Sequence, residues 1–178
     1  MDIFETIKQR HSTRAYQRRE LAVEKLQHIL ESANNAPSAG NRQAYEIVLV
    51  RDDERKRQLV KATWDQTFIA EAPVVLVFLA APDRNHDRYA ERGTQLYCVQ
   101  DATIACAYAE LAATALGLNC CWVGAFDDAA VAAVVGATGT LRPVAVLPIG
   151  YAVEQPTARP RRALNNLVHH EVVGGKQS

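Results

Sequence analysis

Arg10, Ser12 and Arg14 alternate along a polar segment near the N-terminus. In an extended backbone, alternate side chains point to the same side, so two guanidinium groups and one hydroxyl could bind a single anion. The same residues, with Arg18 and Arg19 close by, are also typical of a solvated basic turn. The segment taken alone favours that simpler interpretation.

Three further segments carry groups suited to binding a ligand. Residues 37–43 read Pro-Ser-Ala-Gly-Asn-Arg-Gln, and their hydroxyl and amide groups suit hydrogen bonds to the edge of a planar heteroaromatic ring. Gly124 follows a predicted strand, where an exposed backbone N–H can approach a ligand closely. Near the C-terminus, Arg159, Arg161 and Arg162 bring further positive charge. Each of these signals is weak by itself.

The standard motifs for nucleotides and metals do not occur in this sequence. Without a Walker loop or a GxGxxG motif, a phosphate would have to be bound in another way. The five histidines do not stand at ligand spacing with carboxylates in ordered elements, so we expect no metal site. The four cysteines lack CxxC and Cys/His spacing, and we expect small buried packing residues at positions 98, 106, 120 and 121.

Composition limits the class of protein. The 178 residues include 48% hydrophobic and 22% charged residues, which predicts one compact globular domain over 1–178. Lys+Arg and Asp+Glu both number 20, so no basic excess favours nucleic acid as a partner. The acidic start Met1–Glu5 does not resemble a signal peptide, and the apolar stretch Ala72–Pro82 is too short to span a membrane. We therefore expect a cytoplasmic protein without a membrane partner.

Hydrophobic periodicity predicts helices interspersed with strands, without regular βαβ alternation. This order favours an α+β fold, in which helices flank a central, mainly antiparallel sheet. The predicted elements are a turn of helix capped by Asp2, a helix over Val23–Ala33, a strand over Tyr45–Val50, a charged helix from Asp52, a strand over Pro73–Leu79, a long helix over Thr94–Leu116, a strand over Asn119–Trp122, a helix through Val131 and Val135, and a strand over Pro143–Gly150.

The helix predicted over Thr94–Leu116 is rich in alanine and apolar nearly all round. This composition suits a helix that packs closely on several sides. Burial at a subunit interface and a central position within one subunit both fit the pattern.

Taken together and in order, these segments resemble the nitroreductase family of flavoproteins, in its compact, short-chain branch. The resemblance extends over about the whole chain, and agreement of several motifs in order is more specific than any single match. It is carried by Arg10–Arg14, the loop 36–43, Gln100–Ala102 at the start of the alanine-rich helix, Cys121–Phe126 and Leu147–Tyr151.

The resemblance implies the nitroreductase fold and an intertwined homodimer with FMN in a cleft at the subunit interface. NAD(P)H and a small-molecule electron acceptor would take turns at the flavin in a ping-pong cycle, and the alanine-rich helix would form the core of the interface. A nitroaromatic or a quinone is the expected acceptor. Ene-type or dehalogenating reduction, oxygen consumption and a non-catalytic flavin-binding module are the alternatives.

The resemblance also assigns residues to the flavin. From one subunit, Arg10, Ser12 and Arg14 would face the phosphate and the pyrimidine side of the ring, with His11 in the same region. The backbone N–H of Gly124, next to Val123, would point at the flavin N5 atom. The partner subunit would supply the residues of the loop, namely Pro37, Ser38, Ala39, Asn41 and Gln43. The phosphate site would be completed by Arg161 and Arg162.

Two features depart from the family pattern. Ala44-Tyr45 stands where many members have Pro-Trp. This difference weakens the transfer of detailed residue roles from the family to the start of that strand. The region between Phe68 and Gly93, where larger members carry additional helices over the active site, is short. Substrate preference is therefore the property that transfers least.

Overall fold

Four antiparallel strands in the order β1-β2-β4-β3 form the central sheet of this computed structural model, which describes residues 1–154 and 160–175. Tyr45 pairs with Ala80 at one end of the β1–β2 ladder, and β2 continues the sheet through the pair Val74 and Ile149. The strands are β1 (Tyr45–Val50), β2 (Val74–Ala80), β3 (Asn119–Cys120) and β4 (Arg142–Gly150). The predicted α+β architecture with an antiparallel sheet is confirmed.

Seven α-helices in the described residues flank the sheet, and the starts of three of them follow local capping signals. Asp2 accepts a hydrogen bond from the N–H of Glu5 and caps the first helix, as predicted. Asp52 and Asp127 cap two others in the same way. The helices are α1 (Ile3–Gln9), α2 (Val23–Asn34), α3 (Asp53–Ala62), α4 (Phe68–Glu71), α5 (Asp83–Arg92), α6 (Cys98–Ala115) and α7 (Asp128–Val135).

Strand β2 separates two hydrophobic clusters. Val74, Leu76 and Phe78 belong to the cluster that contains buried residues of α2 and α6. The alternate residues Val75 and Val77 belong to the cluster that contains residues of α3 and α7. Because both faces of β2 are covered, its sequence reads as a continuous apolar run rather than as an alternation.

Helix α6 starts later than its sequence pattern predicts. Residues Gly93–Tyr97 form a π-helical turn, and the regular helix begins at Cys98. Its alanines are buried within one protomer, against α2 and the sheet, at positions 102, 105, 109 and 113. Packing within one subunit therefore accounts for one face of α6, and Tyr108 lies on the side that stays exposed.

The four cysteines are buried and unpaired with one another, as the sequence predicts. Burial raises the pKa of the Cys106 and Cys120 thiols well above the ordinary value, so both side chains are neutral packing residues. None of the helices in the described residues is both long and apolar enough to cross a membrane.

Candidate functional site

The segment 10–14 lies in non-helical backbone alongside β3. The N–H of Thr13 donates to the carbonyl of Cys120 at 2.9 Å, and Ser12 forms a parallel bridge with Cys120. Thr13 is buried, whereas Ser12 and Arg14 are exposed. The predicted alternation is therefore present, and it leaves a hydroxyl and a guanidinium at the surface.

Tyr16 fixes the far end of this segment. Its buried hydroxyl lies 2.9 Å from the carbonyl oxygen of Thr13 and 3.2 Å from that of Pro148. Burial raises the pKa of Tyr16, so the hydroxyl remains neutral and donates. The segment is thus tied to both β3 and β4.

Arg10 is held by an ion pair with α6. Its Nη1 lies 3.2 Å from Oε1 of Glu110, and the two side chains are only 21% and 11% exposed. A carboxylate at this depth requires a cation or several hydrogen-bond donors. The neighbouring His11 turns back instead, and its Nδ1 contacts the carbonyl of Gln9.

Gly124 lies on the chain that continues from β3. Val123 exchanges both backbone hydrogen bonds with Val146, each at 3.0 Å, and is buried. The next residue, Gly124, is exposed, and its N–H makes no hydrogen bond within residues 1–154 and 160–175. Ser12 pairs with Cys120, four residues before Gly124, so the segment 10–14 lies along the same stretch of chain that leads to the N–H of Gly124.

The loop 37–43 is a tight turn with three left-handed residues, Gly40 (φ 56), Asn41 (φ 57) and Gln43 (φ 50). The Ser38 hydroxyl accepts the N–H of Gln43 at 3.0 Å, which closes the turn. Pro37 and Asn41 are exposed. These two residues are thus the ones that the loop presents outward.

Asp101, near the start of α6, anchors this loop through hydrogen bonds. Its Oδ1 accepts the N–H of Ala39 at 2.9 Å, and its Oδ2 lies 3.4 Å from the N of Ala44 and 3.3 Å from Nδ2 of Asn85. The Asp101 residue is only 2% exposed. One buried carboxylate therefore holds the loop 37–43 and α5 together.

The two anchoring acids of α6 are far apart. Asp101 and Glu110 are nine residues apart, which corresponds to roughly 14 Å along a helix axis. Asp101 holds the loop 37–43, whereas Glu110 holds Arg10. The structure places the segment 10–14 beside β3, which leads to residues 123–124, and it anchors the loop 37–43 at the other end of α6.

The C-terminal arginines that the structure describes lie in the exposed tail. Arg161 and Arg162 are exposed, and Arg162 donates to the carbonyl of Asn166 within the same tail. Neither makes a hydrogen bond or ion pair with residues 10–14 in the described part of the chain. Arg159 lies outside the described residues.

Comparison with known proteins identifies the family. Residues 7–70 and 60–151 match the model of the Nitroreductase family. The chain belongs to the nitroreductase family. It is 30% identical over 163 residues to a protein of Methanothermobacter thermautotrophicus that is provisionally described as an NADH dehydrogenase/NAD(P)H nitroreductase. The match covers 89% of this chain and 82% of the relative.

Two further relatives agree with this membership. The chain is 28% identical over 183 residues to the FMN reductase [NAD(P)H] of Bacillus subtilis, covering 96% of this chain and 74% of that protein. Its structure matches that of NfrA2 from B. megaterium with a TM-score of 0.89 at 27% identity, over 97% of this chain and 75% of the other. The nitroreductase fold expected from the motifs is thus confirmed.

In this member of the nitroreductase family, the motifs identify the candidate segments but not the acids that position them. Asp101 belongs to the motif Gln100–Ala102, yet its contacts with Ala39 and Asn85 come from residues far away in sequence. A carboxylate in an otherwise alanine-rich, buried helix is itself a signal, because a buried charge needs partners. Glu110 carries the same signal.

Proposed function

We propose that this chain is an FMN-dependent oxidoreductase that oxidises NAD(P)H and reduces a nitroaromatic, a quinone or a similar acceptor in a ping-pong cycle. Membership of the nitroreductase family gives the reaction class, NAD(P)H-linked flavin chemistry. The observation that carries the proposal is that Arg10, Ser12 and Arg14 lie on the segment paired with β3, and that the chain continuing from β3 presents an N–H at Gly124 with no hydrogen bond among the described residues.

The donors in this group fit a flavin mononucleotide. A phosphate monoester needs forked cationic donors and hydroxyls, which Arg14, Ser12 and the remaining nitrogens of Arg10 supply. The flavin N5 edge needs a single N–H that is not already paired, which Gly124 supplies. When bound, FMN would accept a hydride from NAD(P)H and pass reducing equivalents to the acceptor.

The residues themselves would bind and orient the cofactor. Arg14 is the leading candidate to place positive charge near the electron-rich N1/O2 edge of the ring. Glu110 holds the Arg10 side chain against α6 through the ion pair at 3.2 Å. No protein acid or base is required for hydride transfer. The buried Cys106 and Cys120 are consistent with this, because their raised pKa values keep both thiols neutral.

A second copy of the chain would complete the site. The loop 37–43 lies roughly 14 Å along α6 from the residues that hold Arg10, so one site would combine this loop from one protomer with residues 10–14 and Gly124 of the other. Arg161 and Arg162 would join the phosphate site in that assembly. The surface also carries exposed apolar side chains, among them Phe4, Leu164 and Val173, which are 81%, 73% and 91% exposed.

Absorbance spectroscopy of the purified protein tests this function. We expect a yellow protein with an FMN band that is bleached anaerobically by NADH or NADPH and restored by a nitroaromatic or a quinone. A yellow protein that neither nucleotide bleaches would be a flavin-binding module without turnover. Restoration by oxygen alone would indicate an oxidase, and a colourless protein that cannot be reconstituted with FMN would contradict every flavin function.

A further inference from the structure

Two arginines and two tyrosines form a cluster at the end of α5 and in the π-helical turn after it. We call Arg88, Tyr89, Arg92 and Tyr97 the Arg–Tyr cluster. The two tyrosine rings meet edge to face with centroids 5.1 Å apart. The Arg88 guanidinium lies 5.3 Å from the Tyr89 centroid, and that of Arg92 lies 5.4 Å from the Tyr97 centroid. Each cation thus borders an aromatic surface.

The two arginines of this cluster carry charges that no ion pair among the described residues neutralises. Among the described residues, no carboxylate lies within ion-pair distance of Arg88 or Arg92. The nearby Arg84 and Arg42 differ, because they pair with Glu46 and Asp87 respectively. Both cluster arginines are exposed, so their guanidinium groups are available to an anionic ligand.

An irregular backbone brings the two tyrosines together. Positions eight residues apart in a regular helix would be separated by about 12 Å along the axis, too far for their rings to meet. Here Ala90 has φ 46 and ψ −135, a conformation that non-glycine residues rarely adopt, and the π-helical turn Gly93–Tyr97 follows. Departures of this kind are concentrated at functional sites.

The cluster is fixed to the loop 37–43. A Cβ added at Gly40 would lie 2.8 Å from Nη1 of Arg88 and against the Tyr89 hydroxyl, so the glycine lets the ends of both side chains lie close to the loop. Arg42 donates through Nε to the carbonyl of Arg84 at 2.7 Å, which ties the loop to α5 a second time. The Arg–Tyr cluster and the loop therefore form one structural unit.

We propose that the Arg–Tyr cluster forms a wall of the acceptor site and selects planar aromatic acceptors that carry a carboxylate or sulfonate. This inference rests on the proposed function, in which the loop 37–43 contacts the flavin of the partner subunit. Tyr89 and Tyr97 supply aromatic surface for a planar ring, and Arg88 and Arg92 supply forked donors for the anionic substituent. Since the whole chain has a formal net charge of zero, this preference would come from local charge.

Steady-state kinetics with a matched pair of acceptors tests this selection. The probes are 4-nitrobenzoate and 4-nitrobenzamide, which have the same ring and nitro group but differ in charge. For the FMN-loaded wild type we expect a higher kcat/KM for the benzoate. In the double variant Arg88→Gln/Arg92→Gln, the ratio of the two kcat/KM values is expected to fall by about tenfold or more, through the KM of the benzoate, as loss of a charged hydrogen bond predicts.

Two further variants define the origin of the effect. Arg57→Gln removes an exposed arginine of α3 that pairs with Glu54, and it should leave the ratio unchanged. Arg88→Lys keeps the charge without the planar fork and should retain part of the preference. Both cluster arginines are exposed, so we expect thermal unfolding of their variants to match that of the wild type.

Anaerobic bleaching by NADH or NADPH and reoxidation by the neutral amide are measured first on every variant. Failure of the wild type at that stage would contradict the proposed function itself. If those steps succeed and the ratio is near one in the wild type, or is unchanged in the double variant, the selection proposed for the cluster is wrong. A rise only in the KM for the nicotinamide nucleotide would assign the cluster to that substrate and would also overturn the inference.

Discussion

Arg10 and Arg14 have different surroundings although they occupy equivalent positions in the alternating motif. Arg10 is partly buried and paired with Glu110, whereas Arg14 is exposed. The pair gives Arg10 one fixed direction, and it leaves the other guanidinium nitrogens for a phosphate. Arg10 would therefore bind the cofactor as a pre-positioned group, and Arg14 as a mobile one.

Replacing Arg10 tests its role at the phosphate. Arg10→Ala is expected to weaken FMN binding by about 1.5–3 kcal/mol, the cost of losing a charged hydrogen bond. The measurement is the Kd for FMN from quenching of flavin fluorescence. Glu110→Gln removes the ion-pair partner but keeps the cation, so it should bind FMN much more tightly than Arg10→Ala does. Equal Kd values for Arg10→Ala and the wild type would contradict the phosphate assignment.

The buried thiols predict how stability depends on pH. Burial raises the pKa values of Cys106 and Cys120, so the folded protein retains protons that the unfolded chain releases above about pH 8.5. Their contribution to stability is full below that pH and is lost as the pH rises, by up to about 1.4 kcal/mol per pH unit for each thiol. Urea unfolding at pH 7.5, 8.5 and 9.5 under reducing conditions measures the slope.

Alanine variants separate these thiols from the other titrating groups. Cys106→Ala and Cys120→Ala are each expected to flatten the slope between pH 8.5 and 9.5, whatever they do to stability at pH 7.5. A slope identical to that of the wild type in both variants would show that the thiols do not titrate in this way.

At the scale of elements, α6 is the part on which the candidate site depends. Asp101 near its start holds the loop 37–43 and α5, and Glu110 near its end holds Arg10. Between them, Ala102, Ala105 and Ala109 are buried in the cluster that contains residues of α2 and the sheet, so the helix cannot shift without disturbing the core. The spacing between the two anchored groups is therefore fixed by helix geometry.

Asp101→Asn tests this anchoring. The amide keeps the shape of the carboxylate but can accept at only one of its two positions, so one buried N–H loses its partner. We expect a loss of about 1–3 kcal/mol in the free energy of unfolding and faster hydrogen exchange at residues 39–44. Asp128→Asn, in the exposed first turn of α7, serves as the control and should change stability by less than about 0.5 kcal/mol. Equal exchange rates in both variants would refute the anchoring role.

Local pattern predicted most of these elements, whereas the contacts between them required the structure. The apolar run of β2 and the Asp2 cap are properties of adjacent residues, and both were predicted from sequence. The true start of α6 was missed because helical periodicity does not distinguish a π-helical turn from a regular one. The ties of Asp101 to Ala39 and Asn85 join distant positions, which no short window of sequence contains.

At the scale of the whole molecule, the single chain leaves several apolar side chains exposed to solvent. Apolar side chains of α1 and of the tail 160–175 are exposed together with the candidate site residues. Apolar groups in such number favour association. A second subunit would bury them and would bring its loop 37–43 to residues 10–14 and Gly124. On this proposal, the activity would belong to a dimer rather than to one chain.

Complementation between two inactive variants tests this composite site most directly. One variant carries Arg10→Ala and Arg14→Ala, and the other carries Ser38→Ala and Asn41→Gly, where glycine retains the left-handed backbone. In a mixed dimer, purified through two different tags, one site would combine all the altered residues and the other would contain none of them.

Flavin content and NADH-dependent turnover of this mixed dimer are the deciding measurements. Each variant alone is expected to retain little FMN, whereas the mixed dimer should recover about half of the wild-type flavin and turnover per dimer. If one chain supplied both segments of its own site, every site in the mixed dimer would carry an alteration. A mixed dimer that binds no more FMN than either parent variant would therefore contradict the account.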